Sequence, residues 1–363
     1  MAFVTHTNDI GSIFSLSEEQ IEQGMDRVVP LCDGNRALYS LCREALYEIA
    51  LLHSSSNKTV LLPAYTCMTV AQPFLELGWR CVYYSIDKQL RIVGDSIMSL
   101  FTQHRPAVIV AHPFFGMDFS SAEWSLLEDM KTKGCTMVID LTQCVFSTQR
   151  RSFVDYYVGS LRKWLEIPDG GFLETTQDRL FSFNHEREYN LPFASRQTDA
   201  MYLRGLYFST GKQMVKEISR RLNQEAVNTT DEKVSPHRMD SLSYSVWKGA
   251  DLREIEKKRH SNFRILFEAL KGNEHYRPVC QDISDVTTAP LYFTIYVSKR
   301  TELQRTLAAS QIYAPLIWPL ENEKMCVSDD VAYIYQHILA IPCDQRYGKE
   351  DMLRIIDIIE KFK

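Results

Sequence analysis

The sequence predicts a mixed α/β protein built around a largely parallel sheet, and two observations carry that prediction. Short apolar segments at 60–62, 81–86, 107–111, 137–140 and 156–158 are mostly separated by helix-length stretches such as 122–133, the alternation expected of βαβ units. A chain of 363 residues, 45% apolar and 24% charged, has material for a large core and is long for one domain. We therefore expect a large α/β domain over 1–235, N-terminal segment included, and a smaller α+β domain over 236–363.

In chain order, apolar residues recur at helical spacing across 36–53, at Leu38, Leu41, Cys42, Ala45, Leu46, Ile49 and Leu52, with Gly34-Asn35 marking the start. The βα alternation follows. Between 179 and 233 the sequence becomes charged and helical, and 223–233 is polar enough to read as a mobile loop. A long helix is expected over 240–270. Beyond Pro278 come a strand at 291–297, a helix at 301–310, an extended 315–319 and a closing helix at 349–362. Neither internal repeats nor low-complexity tracts interrupt this order.

Composition removes several function classes. Net charge is -5 with no block of lysine and arginine, so neither nucleic acid nor an anionic membrane surface is an expected partner. Residues 1–20 carry Asp9, Glu18 and Glu19 and lack the basic start and apolar centre of a signal peptide. No apolar run approaches the roughly 20 residues that span a bilayer, and a cytoplasmic protein is expected. The nine cysteines include no Cys-x-x-Cys pair, so they read as reduced, mostly buried fillers rather than disulfides or zinc ligands. The nine histidines show no metal-ligand spacing, and no metal is expected. Neither a Gly-x-Ser-x-Gly elbow nor a phosphate-binding Gly-x-x-x-x-Gly-Lys loop is present.

One constellation carries chemistry. Lys163 closes Gly159-Ser160-Leu161-Arg162-Lys163, ahead of Asp169-Gly170-Gly171 and downstream of the strand-like 137–143. Taken singly, such a lysine is usually a surface residue, and an aspartate ending a strand often caps a helix. In this order they suggest a pyridoxal phosphate (PLP) site. Lys163 would hold the cofactor aldehyde, Asp140 would keep the pyridine nitrogen protonated, and Ser160 would reach the phosphate. Lys163 must be desolvated or beside positive charge to act as a nucleophile, and Arg162 is its neighbour. Gln143 reads equally well as a donor to the phenolic oxygen of the ring and as a helix-start residue facing water. Residues 34–38 open the first expected helix, where free N–H groups and the helix dipole favour an anion. Asn35 and Arg36 are thus candidate phosphate holders, with an ordinary helix cap as the alternative.

With these residues in order, the chain resembles the DegT/DnrJ/EryC1/StrS family of PLP-dependent sugar aminotransferases over nearly its whole length. Val60-Leu61-Leu62-Pro63-Ala64-Tyr65-Thr66 followed by Gly78 resembles the family's strand, Pro-x-x-Thr turn and glycine. The run from Val108 to Gly116 is similar to its strand ending in histidine and glycine. Ile139-Asp140-Leu141-Thr142-Gln143 resembles its Glu-Asp-Ala-Ala-Gln, and Lys163 with Asp169-Gly170-Gly171 its lysine and Glu-Gly-Gly. Arg238-Met239, opening a long helix toward Lys258-Arg259, is similar to a segment that reaches the partner subunit's active site, and Ile341-Pro342 also fits. The resemblance implies an aspartate aminotransferase-like fold type I, a homodimer with active sites at its interface, and transfer of an amino group from glutamate to a keto sugar nucleotide.

Departures from the pattern mark a divergent branch. Cys67 stands where the family has an aromatic residue that stacks on the cofactor ring, and a small side chain stacks poorly. Pro236 replaces an asparagine that reaches the neighbour's phosphate, and Val158 replaces a serine, leaving Ser160 as the nearest substitute. Retention of Lys163 speaks against the family's dehydratase branch. Two alternatives remain: another PLP reaction, as a lyase or amino acid transaminase, and a non-catalytic protein of this fold acting as sensor or partner.

Overall fold

The computed structural model describes residues 9–24, 28–54, 57–230, 233–273 and 275–362. In chain order the strands are β1 (Cys32–Asp33), β2 (Arg36–Tyr39), β3 (Thr59–Pro63), β4 (Arg80–Tyr84), β5 (Val108–Ala111), β6 (Thr136–Asp140), β7 (Tyr156–Ser160), β8 (Gly171–Glu174), β9 (Tyr276–Pro278), β10 (Phe293–Val297) and β11 (Ile338–Ile341). The mixed α/β class read from the sequence is present. The chain forms two interleaved compact units, one of Ser12–Leu52 and Tyr156–Ala250, the other of Asp9–Gly11, His53–Asp155 and Asp251–Lys363.

In the second unit β6, β5, β3 and β4 lie side by side in that order and run parallel. Every residue of β3 and β5 is buried, which is why both read as unbroken apolar runs rather than alternating ones. The helices Met68–Glu76, Gly94–His104 and Ser121–Thr132 connect these strands. Ser120 and Glu123 form a reciprocal capping box at the start of the last of them. The chain steps from β3 to β4 on one side and then to β5 on the other, so the strand order reverses between β3 and β5. The same unit carries an antiparallel β9-β10-β11 sheet with the helices Leu252–Leu270, Arg300–Ala309, Asp329–His337 and Lys349–Lys361.

In the first unit β1, β2, β8 and β7 are neighbours in that order, and each pair is antiparallel. The helix expected over 36–53 is corrected here. Residues 36–39 are β2, and the helix is Cys42–Leu52. β2 pairs with a strand on each side, so Ala37, Leu38 and Tyr39 are all buried, and a continuous apolar run there matched helical spacing by accident. Gly34, at φ 64°, and Asn35 form the two-residue turn that lets Asp33 pair with Arg36.

Two further expectations change. The helix Gln213–Thr229 occupies most of the expected loop 223–233, of which 231–232 lie outside the described residues. Its polar residues face water while Ser219 and Ala226 are buried against the antiparallel partner helix Leu191–Thr210. The single helix over 240–270 is two, Ser241–Gly249 and Leu252–Leu270, because Asp251 turns its carboxylate onto the N–H groups of Arg253 and Glu254 and caps a new start. The nine cysteines are all free thiols, but only Cys135, Cys144, Cys280 and Cys343 are fully buried and Cys326 is exposed. Among the described residues no helix is long and apolar enough to cross a membrane. Residues 1–8 of the N-terminal stretch examined for a signal peptide lie outside the described residues.

Candidate active site

Where the strand order of a parallel sheet reverses, the two flanking loops diverge and leave a crevice beyond the carboxyl ends of the strands. In the second unit that place lies between the ends of β3 and β5. Thr66, just past β3, and His112, just past β5, meet there with Thr66 Oγ1 3.1 Å from His112 Nε2. Both are buried. An aromatic wall surrounds them. Phe114 lies edge-on to the His112 ring at 4.4 Å between centroids, Trp318 approaches the same ring at 5.9 Å, and Tyr65 packs against Phe114, Trp318 and Tyr335. The Tyr335 hydroxyl donates to Ala64 O at 2.9 Å, which fastens the turn after β3.

Asp140 is the last residue of β6, the strand beside β5, and is 5% exposed. Its Oδ1 accepts the N–H of Thr142 at 2.8 Å. Gln143 does not start a helix facing water. It is 2% exposed, its Oε1 accepts the N–H of Phe115 at 3.1 Å, and its Nε2 is buried without a hydrogen-bond partner. A buried amide donor left without an acceptor costs on the order of 1–3 kcal/mol. Cys67 takes the N-cap position of the helix Met68–Glu76, with its sulfur accepting from Thr69 Oγ1 at 3.0 Å.

In the first unit Ser160 is the buried last residue of β7, and Lys163 ends the 3-10 turn Leu161–Lys163 that follows, half-buried. Arg162 turns toward the Phe193 ring, its guanidinium carbon 5.8 Å from the centroid. The turn is tied down at Leu161, whose N–H donates to Gly170 O at 2.9 Å, while Gly170 N–H donates to Ser40 O at 2.6 Å. Asp169, fully buried, accepts the N–H of Asp240, the N-cap residue of the helix Ser241–Gly249, on both carboxylate oxygens at 3.1 Å. Burial, with Asp240 adding to it, pushes its carboxyl from 3.8 up to about 8.

The expected phosphate holders are placed otherwise. Asn35 sits exposed in the β1–β2 turn with its C=O accepting from Thr175 N–H, and Arg36 pairs with Glu174 at 3.1 Å and covers the Phe172 ring. At the true start of the first long helix, Leu41 N–H donates to Glu44 Oε2 at 3.3 Å, so a carboxylate already serves that end. Arg238 is held by Val29 O, by Glu186 at 3.6 Å and over the Tyr189 ring. Arg259 is buried, donating to Gln345, Pro290 O and Leu291 O.

PLP is thus fitted unevenly by these residues. The ring end fits, with a buried carboxylate at a strand end and an orphaned buried amide donor three residues on. Asn35, exposed in a turn, and Arg36, paired with Glu174, do not fit the phosphate end. Thr66, His112 and Trp318 were not singled out as site residues by sequence reasoning. Thr66 and His112 each follow an apolar strand, but only the order of the strands shows that these two ends adjoin.

No model of a known protein family matches the chain, and no curated protein matches its sequence. Solved structures do. PseC of Helicobacter pylori, an aminotransferase involved in the biosynthesis of pseudoaminic acid, matches with a TM-score of 0.66 at 12% identity, over 97% of this chain and 98% of that one. The chain has the fold of these aminotransferases. A DegT DnrJ EryC1 StrS aminotransferase from Brucella abortus matches with a TM-score of 0.63 at 16% identity, over 96% of this chain and 91% of that one. Spr1654 from Streptococcus pneumoniae, in its PLP form, matches with a TM-score of 0.68 at 14% identity, over 97% and 99%. The fold type I architecture implied by the sequence resemblance is therefore present, at identities that speak for fold alone.

Proposed function

We propose that the chain is a PLP-dependent aminotransferase that moves an amino group from glutamate to a keto sugar linked to a nucleotide. The observation that carries this reading is the pair at the end of β6, a buried Asp140 and a Gln143 whose buried Nε2 lacks an acceptor, in a fold shared with sugar aminotransferases. When bound, PLP supplies an electron sink for charge developing on the substrate carbon. Asp140 would hold a proton at the pyridine nitrogen, and Gln143 Nε2 would donate to the phenolic oxygen. Lys163 would hold the cofactor aldehyde through its Nζ, and the same amine, when free, would hold and pass on the proton of the substrate carbon. Ser160 would donate to the phosphate. Cys67, small and half-buried, leaves ring contact to other groups. A homodimer in which Arg238 serves the partner's site belongs to the same proposal.

A second reading, a non-catalytic protein of this fold, draws support from one observation: Arg36, an expected phosphate contact, is committed to Glu174 within the chain. Visible absorbance with added PLP separates the two. The aminotransferase gives a band that requires Lys163, is absent in Lys163→Ala and disappears on adding glutamate. A band unmoved by glutamate points to another donor or another PLP reaction, and absence of any band removes the enzymatic reading.

A further inference from the structure

Asp140 and Gln143 meet a bound heterocycle at its edge. A carboxylate holding a ring proton and an amide donating to a ring oxygen both act in the plane of the ring, so neither covers a face. Aromatic side chains suit a face, because they combine a large buried area with the attraction between oriented rings. Cys67 is too small for that role, and its sulfur, at the N-cap of the helix Met68–Glu76, accepts from Thr69 Oγ1. The wall around Thr66 and His112 holds a better candidate.

Trp318 stands against the His112 ring at 5.9 Å between centroids, and against Tyr65 at 5.3 Å. His112 links it to both edge-holding residues. The parallel register sets Ala111 opposite Ile139, so the next residues, His112 and Asp140, leave neighbouring strands one strand spacing apart, about 4.8 Å. On its other side the His112 ring touches Phe114 at 4.4 Å, and Phe115, next in the chain, gives its N–H to Gln143. The segment that carries Trp318 is fastened within the second unit: Tyr313 N–H donates to Ile10 O at 2.8 Å and Gln304 Nε2 to Ala314 O at 2.8 Å. Tyr65, Phe114, His112 and Tyr335 are each at most 4% exposed, whereas Trp318 is only half-buried. Its indole therefore keeps open surface beyond what Tyr65 and His112 cover, next to the ends of β3 and β5.

We propose that Trp318 lays its indole on a face of the PLP ring whose edge meets Asp140 and Gln143. A pyridine ring kept protonated by a carboxylate is poor in electrons, and tryptophan has the side-chain face that attracts positive charge best, so the two rings attract beyond the apolar area they cover. The assignment rests on the PLP reading of Asp140 and Gln143 and adds to it a binding residue from the segment between the helices Arg300–Ala309 and Asp329–His337.

Titration of the full chain with PLP tests it, read by visible absorbance and by tryptophan emission. Trp318→Leu is expected to bind PLP about tenfold more weakly than wild type, and Trp318→Phe, which keeps a flat ring, to stay within about threefold. PLP should also quench a larger share of the emission of wild type than of Trp318→Phe, in which the rest of the chain's five tryptophans remain. The thermal midpoint without PLP shows whether each variant folds, and if Trp318→Leu does not, the emission comparison between wild type and Trp318→Phe decides. Unchanged affinity in Trp318→Leu, equal weakening in the two variants, or equal quenching in wild type and Trp318→Phe would overturn the proposal with PLP binding intact. Unchanged PLP affinity combined with a weaker response of the band to glutamate would give the indole to the substrate instead. Absence of a band from wild type would remove the PLP reading itself.

Discussion

Asp169 takes the backbone N–H of Asp240 on both carboxylate oxygens, each at 3.1 Å, and through this contact the Asp169-Gly170-Gly171 turn is joined to the helix Ser241–Gly249. The bond runs between distant parts of the chain, 71 residues apart, and buries the acid completely. Its neighbour Gly170 in turn holds Leu161, at the head of the Lys163 turn.

The buried acid makes stability depend on pH. With its carboxyl raised to about 8 in the fold from an ordinary 3.8, Asp169 binds more protons folded than unfolded between those values. Its contribution is therefore whole below about pH 4 and is lost as pH rises toward and through about 8. Asp240, also raised by burial, acts in the same direction. Urea unfolding at pH 6 and pH 9 should show wild type less stable at pH 9, with the loss reduced in Asp169→Asn, which keeps an acceptor for Asp240 N–H and cannot ionise. An identical pH dependence in the variant would refute the assignment to Asp169.

Gly171 is required by a close approach. A Cβ there would stand 2.5 Å from both Leu41 C and Cys42 N, main-chain atoms at the start of a helix that cannot swing aside. Gly171→Ala should destabilise the protein by about 3 kcal/mol or more, beyond the usual overpacking range because the clash is with backbone. A shift in thermal midpoint of under a degree would show that the strand yields.

Gln143 offers a contrast between binding and stability. Gln143→Ala removes an orphaned buried donor but also leaves Phe115 N–H without its acceptor, so the net stability loss should stay near 1–2 kcal/mol, about one buried hydrogen bond. PLP affinity, read by absorbance titration, should fall about tenfold, as a lost hydrogen bond to a charged oxygen does. Unchanged affinity would mean that Nε2 does not meet the cofactor.

Much of the second unit was legible in the chain. Its parallel strands are buried on both faces and so appear as uninterrupted apolar runs, and the helices between them have ordinary lengths and start signals, as Ser120 and Glu123 show. Asp140 and Gln143 were singled out from their place at a strand end, and the structure buries both. The first unit was harder because β2 pairs on both sides and imitates a helical pattern, which placed the expected helix start at 34–38 although the helix begins at Cys42.

By itself the sequence determined the α/β class and the place of the buried parallel strands, because periodicity is a local property of the chain. Only tertiary structure decided that β5 returns to the far side of β3 and brings Thr66 to His112, and that Glu44 closes on His237, 193 residues away. Those pairings depend on strand order and on how buried charges find partners across the chain, and no window of sequence contains either partner's choice.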